Sequence, residues 1–152
     1  MERSKEYECE PRVRLVTVEQ VELVACEQPP VKSPEDSARL ACDLIGAKDR
    51  EHFLVLHLNS SHQLVSSEVT SIGSLGSTIV HPREVFKGAF LANAAAIVCA
   101  HNHPSGDLAP SIEDKAVFER LKDAGKLLGV PMLDFLIVSR TDSWSGREHW
   151  TF

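Results

Sequence analysis

The segment His101-Asn102-His103-Pro104 directly follows the apolar run Ile97-Val98-Cys99-Ala100. A short apolar run bounded by turn-forming residues is typical of a buried strand that ends at the edge of a sheet. Because strand side chains alternate between the two faces, both imidazoles would project from the same face. The sequence therefore predicts a strand that brings His101 and His103 side by side into one site.

A carboxylate downstream, Asp114, is the expected third member of this site. Ser111 has the properties of a helix N-cap, so Asp114 would lie in the first helical turn and could point from the helix end towards the sheet edge. Asp107 is nearer in sequence, but it lies in a glycine-containing loop where a turn role explains it. Ser-x-x-Asp is also a capping-box-like pattern that needs no metal, and the two roles are compatible. Two imidazoles and one carboxylate can bind Zn²⁺ and leave its fourth position open to water.

Helical and strand patterns alternate outward from this segment. Core strands are predicted at residues 53–58, 64–72, 95–101 and 132–138. One or two more strands are predicted within residues 13–24, and an edge strand at 144–150. Helices are predicted from Ser33 to about Gly46, from Pro82 to near Asn93 and from Ser111 to Leu128. Several neighbouring strands are hairpin-like, which predicts a mixed sheet flanked by helices, an α/β fold of the α+β type. We expect residues 1–34 to form an N-terminal extension with short strands and residues 35–152 to form one domain.

Composition limits the classes of protein that fit. The chain has 152 residues, of which 43% are hydrophobic and 25% charged, as in ordinary soluble domains. The net charge of −6 argues against a broad phosphate-binding surface. The four cysteines are scattered without a C-x-x-C pair, which is typical of reduced thiols in an intracellular protein; they are Cys9, Cys26, Cys42 and Cys99. No signal peptide or long apolar run is evident, so we expect a cytoplasmic protein without a membrane partner.

The spacing His101-x-His103-x₇-Ser111-x₂-Asp114 matches the JAMM motif of MPN-domain metalloproteases. The wider run from His101 to Asp114, together with Val80-His81-Pro82-Arg83-Glu84-Val85-Phe86, resembles the bacterial RadC-type branch of that family. The resemblance implies an MPN (JAB) domain, similar in architecture to cytidine deaminases. It further implies a Zn²⁺ site at His101, His103 and Asp114 and hydrolysis of a peptide or isopeptide amide.

The family pattern also has a glutamate on an upstream strand, and the resemblance favours Glu68 over Glu51 or Glu84 for this position. Zinc lowers the pKa of a bound water to about 7. The resemblance implies that Glu68 accepts the proton of this water and passes it to the leaving amine. It also implies that the Ser111 hydroxyl donates to the oxyanion, a contribution of about 3 kcal/mol in comparable sites.

Two departures from the RadC-type pattern are present. Phe135 follows Asp134 where the pattern usually has a histidine, although this position is not among the expected ligands. Residues 1–34 are too short and too strand-like for the helix-hairpin-helix region that accompanies RadC-type proteins. An alternative function as a DNA-repair accessory protein, with nucleic acid as a partner, is therefore suggested by family association alone, and the negative net charge opposes it.

The sequence is compatible with several alternatives. Some MPN domains are interaction scaffolds without metal, but the complete motif argues against this. A deaminase is least favoured, because its His-x-Glu and Pro-Cys-x-x-Cys elements are absent. Mn²⁺ or Fe²⁺ would accept the same ligands as Zn²⁺. Cys99 is expected on the same strand face as His101, either as a thiol near the metal or as a small buried hydrophobe. The other five histidines are expected at the surface or in packing roles: His52, His57, His62, His81 and His149.

Overall fold

The computed structural model describes residues 31, 33–73 and 80–151, and the structural statements below refer to these residues. The predicted strands within 13–24 and most of the proposed extension lie outside the described residues. The elements, in chain order, are α1 (Pro34–Ala41) with a π-helical turn (Cys42–Gly46), β1 (Glu51–Leu58), β2 (Leu64–Gly73), α2 (Pro82–Leu91), β3 (Ala96–Asn102), α3 (Ile112–Leu128), β4 (Met132–Val138), β5 (Ser143–Ser145) and α4 (Gly146–His149).

The described strands form one mixed sheet in the order β2-β1-β3-β4-β5. β1 is antiparallel to both β2 and β3, whereas β3 and β4 are parallel. Helices α2 and α3 pack on one face of the sheet through Phe86 and Phe118, and α1 packs on the other face through Ala41. The prediction of a mixed sheet flanked by helices is confirmed.

Local signals fix the ends of the helices. Ser33 and Ser111 are both N-caps, and each forms a complete capping box with the aspartate three residues later, Asp36 and Asp114 respectively. Helix α3 ends at Gly129, which adopts the left-handed conformation with φ of 72°. No described helix is both long enough and apolar enough to cross a lipid bilayer.

The tail differs from the expected edge strand at 144–150. It pairs with β4 only over Ser143–Ser145 and then forms the short helix α4. The buried Asp134 carboxylate causes this turn, because it accepts hydrogen bonds from Ser145 Oγ at 2.7 Å and from the Arg147 backbone N–H at 3.0 Å. Strand β1 also begins at Glu51 rather than at Phe53, and this difference affects the site described next.

Candidate metal centre

His101 and His103 lie where β3 ends. His101 pairs with Phe53 of β1 and Ile137 of β4, and the His103 backbone N–H donates to the Val138 carbonyl at 3.0 Å, which extends the ladder. His101 shares its sheet face with Cys99, which belongs to the core under α2 and α3. The two imidazole rings meet edge to face with centroids 4.6 Å apart. The expected pairing of the two histidines is therefore present.

Asp114 approaches these rings from the first turn of α3. Its backbone N–H donates to Ser111 Oγ at 3.0 Å, and its Oδ2 accepts from the Ser111 N–H and the Ser111 hydroxyl, both at 2.7 Å. The same carboxylate lies 3.2 Å from His101 Nε2 through Oδ1 and 3.7 Å from His103 Nε2 through Oδ2. Capping and proximity to the histidines thus coexist in one residue.

The geometry fits a divalent metal ion with nitrogen and oxygen ligands. One ligand atom from each of His101, His103 and Asp114 lies within 4.8 Å of the other two. His101 Nε2 is buried and makes no hydrogen bond, although Asp114 Oδ1 is only 3.2 Å away, because the direction is unsuitable. Leaving a buried nitrogen unsatisfied costs about 1–3 kcal/mol. A zinc ion on its lone pair would remove this cost.

The protonation states of His101 and Asp114 favour metal binding as well. Burial lowers the pKa of His101 to about 4, an effect that His103 reinforces and Asp114 opposes, so its imidazole is neutral near pH 7. Burial alone would raise the pKa of Asp114, but His103, His101 and Ser111 together hold it well below its usual range. A neutral imidazole and an ionised carboxylate are the forms that ligate metals.

The loop after β3 fixes the tautomer of His103. Its Nδ1 lies 2.5 Å from the carbonyl oxygen of Asp107, and a carbonyl can only accept, so Nδ1 carries the proton. Nε2 is consequently the ring nitrogen that faces Asp114, and in the neutral ring it carries the lone pair that can bind a metal. The Asp107 side chain accepts from the Ala109 backbone N–H at 2.9 Å, which confirms its predicted turn role.

Apolar side chains surround His101. The ring centroids of Phe135 and Phe53 lie 5.7 Å and 6.4 Å from that of His101. Phe135, which stands where the RadC-type pattern has histidine, therefore contributes a buried apolar wall beside the imidazole. Cys99 is fully buried, and burial raises the pKa of its thiol, so it fits the small hydrophobe better than the thiolate ligand.

Glu68 lies farther from the histidines than expected. It pairs with Val55, which in turn pairs with Cys99, so it shares the face of His101 but lies two strands away. This separation corresponds to about 12 Å between the Cα atoms of Glu68 and His101. Its carboxylate instead lies against α2, where a Cβ added at Gly88 would collide with Glu68 Oε2 and crowd the His57 ring.

Glu51 is the acidic residue that the sheet aligns with the histidines. Phe53 pairs with His101, so continuing this antiparallel register by two residues places Glu51 opposite His103, on the same face. The interaction with Asp114 is the largest influence that raises the pKa of His103, and the Glu51 charge acts in the same direction. The arrangement favours Glu51 over Glu68 as the glutamate of the site. The alternation of side chains from Glu51 to Phe53 is the feature of the sequence that could have indicated a strand beginning at residue 51, with Glu51 on the face of Phe53.

A mixed sheet with a His-x-His strand end and a facing Asp at a helix start defines the class: an α/β domain with a candidate metal centre. The chain belongs to the RadC-like JAB domain family, whose model matches residues 31–150. This finding confirms the resemblance inferred from the motif and the fold that it implied.

Similar proteins occur in bacilli. The chain is 48% identical over 108 residues to the UPF0758 protein YsxA of Bacillus subtilis (strain 168), covering 71% of this chain and 47% of that protein. It is 46% identical over 111 residues to a UPF0758 protein of Shouchella clausii (strain KSM-K16), covering 73% of this chain and 48% of that protein. The chain thus spans about half the length of the curated relatives it matches. The name UPF0758 states no activity.

Proposed function

We propose that this protein is a zinc-dependent hydrolase that cleaves a peptide or isopeptide amide, with His101, His103 and Asp114 as the metal ligands. The observation that carries the proposal is the convergence of their three ligand atoms within 4.8 Å, one of them a buried nitrogen without a hydrogen bond. A zinc ion held there would activate a water and polarise the scissile carbonyl. The substrate class follows from the family resemblance, and the net charge of −6 favours a peptide or protein substrate over nucleic acid.

Glu51 is the proposed general base. Its position opposite His103, where β1 begins and β3 ends, would let its carboxylate take a proton from the attacking water and return it to the leaving amine. Glu68 was favoured from the sequence, but its carboxylate lies against Gly88 of α2. We therefore assign the proton transfer to Glu51 and expect Glu68 to act in packing.

Ser111 has a different proposed part from the one expected. Its hydroxyl donates to Asp114 Oδ2 at 2.7 Å, so its proton is directed at the carboxylate and not towards a substrate oxygen. Its hydroxyl would have to rotate away from Asp114 to donate to an oxyanion. We propose that Ser111 mainly orients the Asp114 carboxylate towards the two imidazoles.

The two glutamates provide the test of this function. The zinc-loaded protein is incubated with a peptide library derived from a bacterial proteome, and new termini are identified by mass spectrometry. We expect zinc-dependent cleavage that Glu51→Gln reduces by about 10²–10⁴-fold. Glu68→Gln, the matched control at the other glutamate, should stay within about threefold of the wild type, since proton transfer is intact. Equal activity of wild type and Glu51→Gln would refute the assignment of the base.

A further inference from the structure

Asn102 lies between the two histidines, and its side chain leaves β3 on the opposite face. It is fully buried, and its amide is fully engaged with one segment of the chain. Its Oδ1 accepts from the His52 backbone N–H at 2.7 Å, and its Nδ2 donates to the Arg50 and Lys48 carbonyl oxygens at 3.0 Å and 3.3 Å. These three backbone groups flank Glu51 on both sides.

The Asn102 side chain contacts the chain around Glu51 at the point where the backbone pairing of β1 with β3 ends. The paired register between β1 and β3 ends at Phe53 and His101, so the amide of Asn102 continues the connection where the backbone ladder stops. Strand β2 holds Glu51 from the other side through its pairing with Gly73, but β2 carries none of the histidines. Among the described residues, the Asn102 side chain therefore links the backbone on both sides of Glu51 directly to the strand that carries His101 and His103.

We propose that Asn102 is a positioning residue that holds the Glu51 carboxylate in place beside His103. This inference rests on the proposed function, in which Glu51 accepts the proton. The chemistry of an amide suits the task, because one oxygen acceptor and one NH₂ donor group serve an N–H and two carbonyl groups at once. Alanine makes none of these bonds, and an aspartate would face two carbonyl oxygens without a donor.

The first part of the test needs no substrate and no metal. Amide hydrogen exchange followed by NMR is compared for the wild type, Asn102→Ala and Asn59→Ala. Asn59 is the matched control, because its Oδ1 accepts two backbone N–H groups, both at 2.9 Å, in the turn at the other end of β1. We expect the His52 amide to exchange about tenfold faster in Asn102→Ala and unchanged in Asn59→Ala. Unchanged exchange of His52 in Asn102→Ala would overturn the inference.

The second part separates positioning from structural support. Cobalt replaces zinc in the wild type and in the Glu51→Gln, Asn102→Ala and Asn59→Ala variants, and the visible absorption is recorded against pH. We expect equal metal stoichiometry throughout and a displacement of the profile by about one pH unit in Glu51→Gln. Asn102→Ala should displace it in the same direction, and Asn59→Ala should leave it unchanged.

The outcomes distinguish the two proposals. A displaced profile in Glu51→Gln with a wild-type profile in Asn102→Ala overturns the role of Asn102 and leaves the proposed function standing. A wild-type profile in Glu51→Gln removes the proposed base and the positioning role with it. If Asn102→Ala does not fold, Asn102→Ser is measured instead, because its shorter side chain cannot serve all three backbone groups. The same displacement is expected, and a wild-type profile would again overturn the inference.

Discussion

His57 and His101 lie on neighbouring strands, face the same side of the sheet and have only 2% and 8% of their surface exposed. Among the described residues, their Nε2 atoms are the buried side-chain polar atoms without a hydrogen bond. Burial lowers the pKa of both imidazoles. The surroundings differ: His101 meets His103 and Asp114, whereas His57 meets the Ser66 hydroxyl at 2.8 Å and Gly88 of α2. An unsatisfied imidazole alone does not define a metal site; the convergence of three ligating side chains, two imidazoles and one carboxylate, does.

The largest expected effect separates these two histidines by metal affinity. His101→Ala removes a ligand and should weaken zinc binding by more than about 100-fold. His57→Ala should leave zinc affinity within about threefold of the wild type, because Glu68 lies near its ring but no group of three ligands forms there among the described residues. Isothermal titration with zinc measures both. Comparable losses in the two variants would contradict this expectation, since they would place a metal role at His57 as well.

The burial of His101 can also be tested by a pH titration of the metal-free protein. The folded pKa of His101, about 4, lies below its ordinary value of 6.5, so the unfolded chain binds a proton that the folded chain does not. Stability should therefore fall as pH decreases from 6.5 towards 4. The raised pKa of His103 has its main effect above pH 6.5, where the stability that it contributes is lost as pH rises. Urea unfolding across this range should give a shallower pH dependence for His101→Gln, and an unchanged slope would contradict the assignment.

The environment of His57 can be tested by filling the space at Gly88. An added Cβ would collide with Glu68 Oε2 and approach the His57 ring to 3.0 Å, so Gly88→Ala should destabilise the fold by about 1–3 kcal/mol. Removing the Glu68 side chain should relieve part of this cost, which a double-mutant cycle by urea unfolding measures. Zinc affinity should not change in any of these variants. A loss of zinc binding in Gly88→Ala would connect this region to the metal centre.

The smallest expected effect uses the two capping boxes. Ser33→Ala and Ser111→Ala each remove an N-cap and should each cost about 1 kcal/mol of stability. Only Ser111→Ala should also weaken zinc binding, by about 10-fold, because Ser111 orients a carboxylate that faces two imidazoles. Thermal unfolding and zinc titration of both variants check this. Equal zinc affinity in the two variants would show that Ser111 acts as a cap and nothing more.

Local signals explain which features could be predicted from the sequence. Serine, proline and aspartate at Ser33 and Ser111 determine helix starts through contacts within one turn, and alternation places two histidines on one face of β3. The role of Asp107 in its turn is equally local. These features depend on neighbours in sequence. The predicted last core strand, Met132 to Val138, also agrees with β4 at both ends.

Features that depend on the pairing register of strands or on contacts between distant residues could not be predicted from local sequence patterns. Alternation within β1 can place Glu51 on the face of Phe53, but its position opposite His103 depends on the register in which β1 pairs with β3, which no local pattern specifies. The tail turns away from β4 because the buried Asp134 binds the Ser145 hydroxyl and the Arg147 N–H. Both contacts join residues whose relation is set by packing of the whole domain.

We expect His101, His103 and Asp114 to hold one metal ion through nitrogen and oxygen ligands. X-ray absorption at the zinc edge, on protein loaded with one equivalent of zinc, identifies the ligand atoms. The expected spectrum shows two imidazole ligands and oxygen ligands at about 2.0–2.2 Å, and the His101→Ala/His103→Ala variant loses the imidazole signal. A sulfur ligand at about 2.3 Å, or a spectrum that the double variant leaves unchanged, would contradict it.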